Sequence, residues 1–267
     1  MSRAVVTGAG GAIGTEICRK LAERGHDIIA VDVNDVGLKT LQANVSRVTP
    51  VRCDLTDATE IARLAEVVGD DCAILVHAAG LVVTTPFERV SDAEIQREVS
   101  VNLVAPMLLT RALFPALQAS RGHVVAVASL GSILPMGESP GYSASKFGLR
   151  GFLLALAARK SATGVLTTIV NPGAVDTPML RHEAATGGSA LNFIGTPLEP
   201  DQVAQAVLSA LDRPRVEINV PRADGWLVKV GMLAPGLLLQ LLPAVARLAQ
   251  SNLDRYRTKY GIERTAS

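Results

Sequence analysis

Seven short runs punctuate this chain, and they are bulky almost without interruption: RAVVTG, DIIAVD, VTPVRCD, CAILVHAAG, GHVVAVAS, GVLTTIVNPG and RVEINVP. A strand with one wet face alternates apolar and polar residues, whereas a strand covered on both faces has no need to. Helical patterns separate these runs. The first is AIGTEICRKLAERG, where Ile13, Ile17 and Leu21 recur at spacing four and Gly25 supplies the stop. Others fall at roughly 57–69, 91–119, 142–161 and 200–212. Strands alternating with helices predict an α/β fold, a doubly wound and mostly parallel sheet of seven strands joined by right-handed crossovers. The absence of a repeat, linker or low-complexity tract points to one domain over 1–222, followed by an apolar and basic helical extension over 223–267.

Composition narrows the function. The chain has 267 residues and is 48% hydrophobic, enough for a sizeable core. Its formal charge is only +1, with no long basic block, and aromatic residues make up 3%. A nucleic-acid surface and a base-stacking platform are both disfavoured. The three cysteines, Cys18, Cys53 and Cys72, are scattered with no CxxC, so neither a metal site nor a disulfide framework is expected. The opening MSRAVVTGAGG enters a strand directly, without a secretory pattern, and predicts a cytoplasmic chain with reduced thiols.

The first strand ends in VVTGAGGAIGTEI, with glycines at 8, 10, 11 and 14 where a helix begins. Glycine there permits a tight turn and lets a pyrophosphate approach the free N–H groups of the helix. Asp32 closes the second strand, 18 residues beyond Gly14. A carboxylate at that tip can take both hydroxyls of an adenosine ribose and repels a 2′-phosphate. The following Val33 and Asn34 are not basic, and Gly11 puts no cation in the loop. These residues favour NAD over NADP, with a turn cap as the alternative role for Asp32.

With this nucleotide half beside YSASK (142–146), the chain resembles the short-chain dehydrogenase/reductase family from about residue 2 to residue 222. TGAGGAIG is similar to that family's TGxxxGxG loop, with Ala12 replacing the middle glycine. The resemblance implies a Rossmann-type fold and a cofactor site at Gly8, Gly11, Ala12, Ile13, Gly14, Asp32 and Val33. It adds Asp54 and Leu55 from CDLTD, and Ala78, Ala79 and Gly80 from HAAG. It also adds Pro172, Gly173, Val175 and Thr177 from NPGAVDTPM, together with Tyr142 and Lys146. His77 stands where the family carries an asparagine that ties strands together, which puts local sheet hydrogen bonding in question. The catalytic set implied is Ser129, Tyr142, Lys146 and Asn102. Ser129 precedes Tyr142 by the family's usual thirteen positions.

The chemistry asks for such a set. When an alcohol is oxidised its hydroxyl proton must leave, and a free phenol with a pKa of about 10 is a poor base near neutrality. Lys146 follows Tyr142 by one helical turn, on the same face. A cation about 4 Å away contributes on the order of 4 kcal/mol at an effective dielectric near 20. That corresponds to about three pKa units before desolvation losses. Ser129 is expected to donate to the substrate oxygen. By resemblance, Asn102 is expected to hold a water that links Lys146 to solvent.

Leu81, Val83, Leu130, Leu134 and Met136 are expected around the reacting carbon, with no cation waiting for a carboxylate or phosphate. The expected substrate is a hydrophobic secondary alcohol or its ketone, steroid-like, lipid-derived or another bulky carbonyl compound. A 3-oxoacyl-thioester reductase and a non-catalytic dinucleotide-binding regulator are the alternatives. The segment 179–198 reads as a substrate lid. VGMLAPGLLLQLLPAVA (230–246) is uncharged, but Pro235 and Pro243 are expected to break a spanning helix. This tail therefore reads as a hairpin over the cleft or a neighbouring subunit, or as a peripheral membrane contact through 226–250. The resemblance also implies a homodimer or homotetramer paired through helices near 101–119 and 142–161.

Overall fold

The computed structural model describes residues 2–263. Met1 and residues 264–267, the last part of the expected extension, lie outside the described residues. The seven strands are β1 (Arg3–Thr7), β2 (Asp27–Asp32), β3 (Val48–Arg52), β4 (Ile74–His77), β5 (His123–Val127), β6 (Leu166–Pro172) and β7 (Glu217–Val220). They form one sheet in the order β3-β2-β1-β4-β5-β6-β7, with every pairing parallel. Strand order reverses between β1 and β4, and such a switch point opens a crevice at the carboxyl ends of the strands.

The crossovers are α1 (Ala12–Glu23), α2 (Asp35–Asn44), α3 (Ala58–Val68), α4 (Asp92–Val99), α5 (Ala105–Ala119), α6 (Pro140–Ala158) and α7 (Lys160–Thr163). They continue with α8 (Pro178–Thr186) and α9 (Pro200–Asp212), and the chain closes on α10 (Arg222–Gly231) and α11 (Pro235–Tyr260). Side chains alternate across the sheet, yet both faces are apolar. Val6, Ile28 and Val76 pack with Ile17 and Leu21 of α1 and Val203 and Val207 of α9. Their strand neighbours Val5, Ile29 and Leu75 pack on the opposite face, with Leu64 of α3, Leu109 and Leu113 of α5, and Leu149 of α6. Two-sided burial is the physical reason the strands read as unbroken apolar runs.

Three features depart from the sequence reading. Helix α2 was not anticipated, because only Leu38 and Leu41 of it are buried. It starts where Asn34 accepts hydrogen bonds from the Val36 and Gly37 N–H groups. The long helix expected over 91–119 is interrupted by a π-helical turn, Ser100–Val104, between α4 and α5. Of the two prolines expected to break the tail, Pro235 marks a break, with α10 ending at Gly231 and α11 starting at Pro235, and Pro243 does not. Pro235 occupies the first turn of α11, where its missing N–H costs nothing, and the helix runs on through Pro243.

His77 does not disturb the sheet. β4 keeps regular register with β1 and β5, and the imidazole is buried with its Nε2 2.8 Å from Thr110 Oγ1. His123 pairs similarly with Thr168 at 2.9 Å. Burial lowers the first imidazole to about 3 and the second to about 4, so both are neutral at ordinary pH. Among the described residues, the one stretch long and apolar enough to cross a bilayer is Asp92–Ala119. Its Leu109, Leu113 and Leu117 are core residues against the sheet.

Candidate active site

The loop after β1 is built for close approach. Gly8 adopts φ +68°, and a Cβ there would lie 2.6 Å from the Ala79 nitrogen. A Cβ on Gly14 would come within 2.0 Å of the Gly8 carbonyl oxygen, so the first turn of α1 sits directly on the loop. Gly11 caps α1 without any side-chain hydrogen bond, and no acidic residue lies in the first turn. Ala12 and Ile13 open the helix. The result is a helix N-terminus with unclaimed N–H groups beside a backbone stripped of side chains, which suits a pyrophosphate.

Asp32 ends β2 within reach of that loop. Its Oδ2 accepts from Gly10 N at 2.9 Å and its Oδ1 from Asn34 N at 2.9 Å. The carboxylate thus already steadies the turn, and each oxygen keeps acceptor capacity for a ribose hydroxyl. Val33 beside it is exposed. Asp54 is folded into its own turn, where Thr56 N and Oγ1 both donate to Oδ1 and hold the carboxyl below its ordinary range. Leu55 packs partly against the core. Ala78 and Gly80 follow β4 and line the central cavity. These residues fit a dinucleotide laid across the carboxyl edge of the sheet.

The catalytic candidates converge at one end of that edge. Ser129 follows β5, and its Oγ accepts from Gly131 N at 2.9 Å. Its hydroxyl is also hydrogen-bonded to the Tyr142 phenol on α6. A Cβ on Gly131 would lie 3.2 Å from Ser129 Oγ and 3.3 Å from the Tyr142 ring, so this glycine seats the pair. Lys146 is buried on the same helix, its Nζ donating to the Val127 carbonyl at 3.4 Å and lying 5.6 Å from the Tyr142 ring centroid.

Electrostatics here differ from the expectation of a lysine that makes the phenol acidic. Burial, then the Glu183 and Glu98 carboxylates, push the phenol above its ordinary value, while the Ser129 hydrogen bond pulls it down. Burial lowers Lys146 to about 8, opposed by Glu98. Desolvation by burial is the largest influence on the phenol, and Lys146 is not among the groups that shift it.

Asn102 lies at the π-helical turn, fully buried. Its Nδ2 donates to Leu81 O at 2.8 Å and Ser145 Oγ at 3.0 Å, and its Oδ1 accepts from Leu81 N at 2.9 Å. Both amide protons are committed, so the side chain ties the segment after β4 to α6. A Cβ on Gly80 would lie 3.3 Å from Lys146 Nζ and 3.4 Å from Asn102 Oδ1, which packs all three together.

Above this floor lies a cavity of about 490 Å³, walled by Leu130, Leu134, Met136, Val82, Leu191 and Leu227 among others. Leu81 and Val83 do not line it as expected. Their N–H groups bind Asn102 and Glu98, and the intervening Val82 faces the space instead. Pro172, Gly173, Val175 and Thr177 border the same cavity beyond β6. Thr177 caps α8, accepting from Leu180 N at 3.3 Å and donating to Val175 O at 3.2 Å. Lys146 is the one cation in the wall.

The expected lid, 179–198, is α8 followed by a 3₁₀ turn at Ala190–Phe193. The carboxyl half of α11 grips it. Leu180, Ala184 and Phe193 pack with Leu253 and Tyr256. Arg257 Nε donates to Ala184 O at 2.8 Å, and Asn252 Nδ2 to Phe193 O at 2.9 Å. Asp176 is the hub. It accepts from Tyr256 at 2.7 Å, from Tyr260 and from Arg181 at 3.0 Å. Those donors hold its carboxyl below the ordinary range against burial, which raises it.

Comparison with known proteins agrees with this geometry. The model of the short chain dehydrogenase family matches residues 2–187. The chain belongs to that family. It is 30% identical over 239 residues to carbonyl reductase family member 4 of Danio rerio, covering 85% of this chain and 98% of the relative. It is 28% identical over 266 residues to estradiol 17-beta-dehydrogenase 11 of Macaca fascicularis, covering 96% and 86%. A short chain dehydrogenase from Burkholderia cenocepacia J2315, solved in complex with NADP, superposes with a TM-score of 0.77 at 27% identity, over 90% of this chain and 97% of that one. This short-chain dehydrogenase is accordingly an oxidoreductase that acts on CH–OH groups with NAD(P).

Two acidic residues of the dehydrogenase escaped the sequence reading. Glu98 is buried, accepts from Val83 N at 2.8 Å and bears on both Lys146 and Tyr142. Its position one helical turn before Asn102 was the available signal. Glu183 lies in the lid among residues that read as weakly helical, and nothing in the spacing marked it.

Two outcomes follow from this geometry. Replacing Tyr256 and Tyr260 together by Phe leaves Asp176 short of two donors and loosens the hold of α11 on α8, so KM for substrate is expected to rise about ten-fold while cofactor Kd changes less than two-fold, read by steady-state kinetics and fluorescence titration. The buried phenol is protonated at neutral pH, so carbonyl reduction is sustained from about pH 6 to 8 and falls as Lys146, lowered to about 8, loses its charge. Alcohol oxidation, which needs the phenolate, rises with pH over the same range. Parallel profiles in the two directions count against Tyr142 as the titrating group.

Proposed function

We propose that this dehydrogenase interconverts a hydrophobic secondary alcohol and its ketone, using NAD(H), with Tyr142 moving the proton. One observation carries the reading: the Tyr142 phenol, hydrogen-bonded to Ser129, forms the polar floor of a cavity whose walls are mainly apolar. A bound nicotinamide supplies the two-electron exchange. Ser129 orients the substrate oxygen and stabilises the charge that changes there. Tyr142 donates a proton to that oxygen in reduction and accepts it in oxidation. Lys146 keeps a positive charge beneath the ring, and Asn102 acts as a positioning residue for Leu81 and Ser145.

The cavity supports bulky, uncharged carbonyl compounds, steroid- or lipid-like among them. A single buried cation leaves no basic patch for a phosphorylated acyl carrier, which weighs against a 3-oxoacyl-thioester reductase. Trp226 on α10, Leu233 in the turn that follows and Leu248 on α11, all exposed, support a peripheral membrane contact through 226–250 in an otherwise cytoplasmic protein. Val104 at the end of the π-helical turn and Met107 in the first turn of α5, both exposed, support pairing of two or four copies through α5 and α6.

Tyr142→Phe removes the exchangeable proton and leaves the cavity intact, so kcat for a panel of hydrophobic alcohols is expected to fall at least about 100-fold with little change in cofactor affinity. Equal rates in the two proteins would eliminate the mechanism. For cofactor choice, Asp32→Ala removes the charge that repels a 2′-phosphate. The ratio of kcat/KM for NAD to that for NADP is expected to drop at least ten-fold, and an unchanged ratio assigns Asp32 to the turn alone.

A further inference from the structure

Glu183 is a carboxylate in an apolar wall. It projects from α8 into the substrate cavity beside Leu180, Leu191 and Ile194. Asn192, from the adjoining 3₁₀ turn, lines the same wall and donates from Nδ2 to Glu183 Oε2 at 3.0 Å. Among the described residues no other hydrogen bond and no ion pair engages the carboxyl group, and Lys146 below it is not a partner. Its backbone is held firmly. The Gly188 N–H donates to Glu183 O at 2.7 Å, and a Cβ on Gly188 would come within 2.5 Å of Glu183 Cβ. Behind α8, Arg257 anchors Ala184.

A polar group left half-satisfied in such a wall is costly unless a ligand completes it. Burial raises the carboxyl to about 7, against the Asn192 hydrogen bond. Such a group gains from any donor brought to it, a neutral hydroxyl as well as a cation. The carboxylate also bears on the Tyr142 phenol, so it overlooks the space in which the substrate lies.

We propose that Glu183, braced by Asn192, is a polar subsite selecting substrates that carry a second hydrogen-bond donor, a hydroxyl or protonated amine, in addition to the carbonyl that meets Tyr142. The inference rests on the alcohol–ketone reading of the cavity and sharpens it: the substrate carries a second polar group on an otherwise apolar body. Anionic groups are disfavoured at the same position by like charge.

The test uses two matched pairs of ketones, cyclohexanone with 4-hydroxycyclohexanone and androstan-17-one with its 3-hydroxy derivative, assayed with NADH. The wild-type enzyme is expected to prefer the hydroxylated member of at least one pair. In Glu183→Leu that ratio of kcat/KM falls about ten- to a hundred-fold, as for a lost hydrogen bond to a charged group, and in Glu183→Gln it falls less. Any effect of the lost charge on Tyr142 is common to both members and cancels in the ratio. A ratio near one in the wild type, or one unchanged in Glu183→Leu, overturns the subsite. If the wild type reduces none of the four ketones, the alcohol–ketone reading is what fails. Calorimetric titration of the NADH-bound enzyme with the same pairs then decides the subsite: preference for a hydroxylated ligand that Glu183→Leu abolishes supports it. Equal affinity within both pairs, absence of binding included, overturns it.

Discussion

Every ladder in this sheet is parallel, and that one constraint gathers the chemistry. Parallel strands cannot be joined by tight hairpins, so each must be followed by a crossover that leaves from the same edge. The glycine loop after β1, Asp32 at the tip of β2, Gly80 beyond β4, Ser129 beyond β5 and Thr177 beyond β6 therefore lie along one rim, although the sequence spreads them over 170 positions. Apolar cover on both faces keeps that rim rigid. Val5 and Val6, adjacent in sequence, anchor opposite layers of the same domain.

Within the rim, short range decides the details. Gly14 lies so close to the Gly8 carbonyl that no side chain fits between them, and this fixes where the N–H groups of α1 point. Asn102 performs a comparable service at the other end, using both amide protons and its carbonyl to bind Leu81 and Ser145. The π-helical turn beneath it offsets the helix by one residue, a local distortion often associated with functional positions.

Much of this was legible before any coordinates. Unbroken apolar runs disclosed a two-faced sheet, and the glycine spacing with Asp32 disclosed a nucleotide loop, because both depend on local sequence and period. Three kinds of feature stayed hidden. Helix α11 runs on through an exposed Pro243, against the tendency of proline to break helices. Which of Leu81, Val82 and Val83 faces the cavity depends on backbone partners supplied by Asn102 and Glu98. The acidity of Tyr142 depends on depth, with burial rather than the lysine one turn away as the largest influence. Glu183 was unreadable for the same reason: a lid glutamate looks like solvated surface until the fold encloses it.

The two buried imidazoles have a consequence outside catalysis. His77 and His123 are neutral when folded, with pKa values lowered from 6.5 to about 3 and about 4. Once the chain opens, each regains a near-normal proton affinity, so the unfolded form takes up protons that the native form refuses. Their neutral burial is therefore without penalty above about pH 6.5 and increasingly unfavourable as the medium acidifies toward those lowered values. Acid therefore weakens the native fold through two imidazoles on adjacent strands in the middle of its sheet.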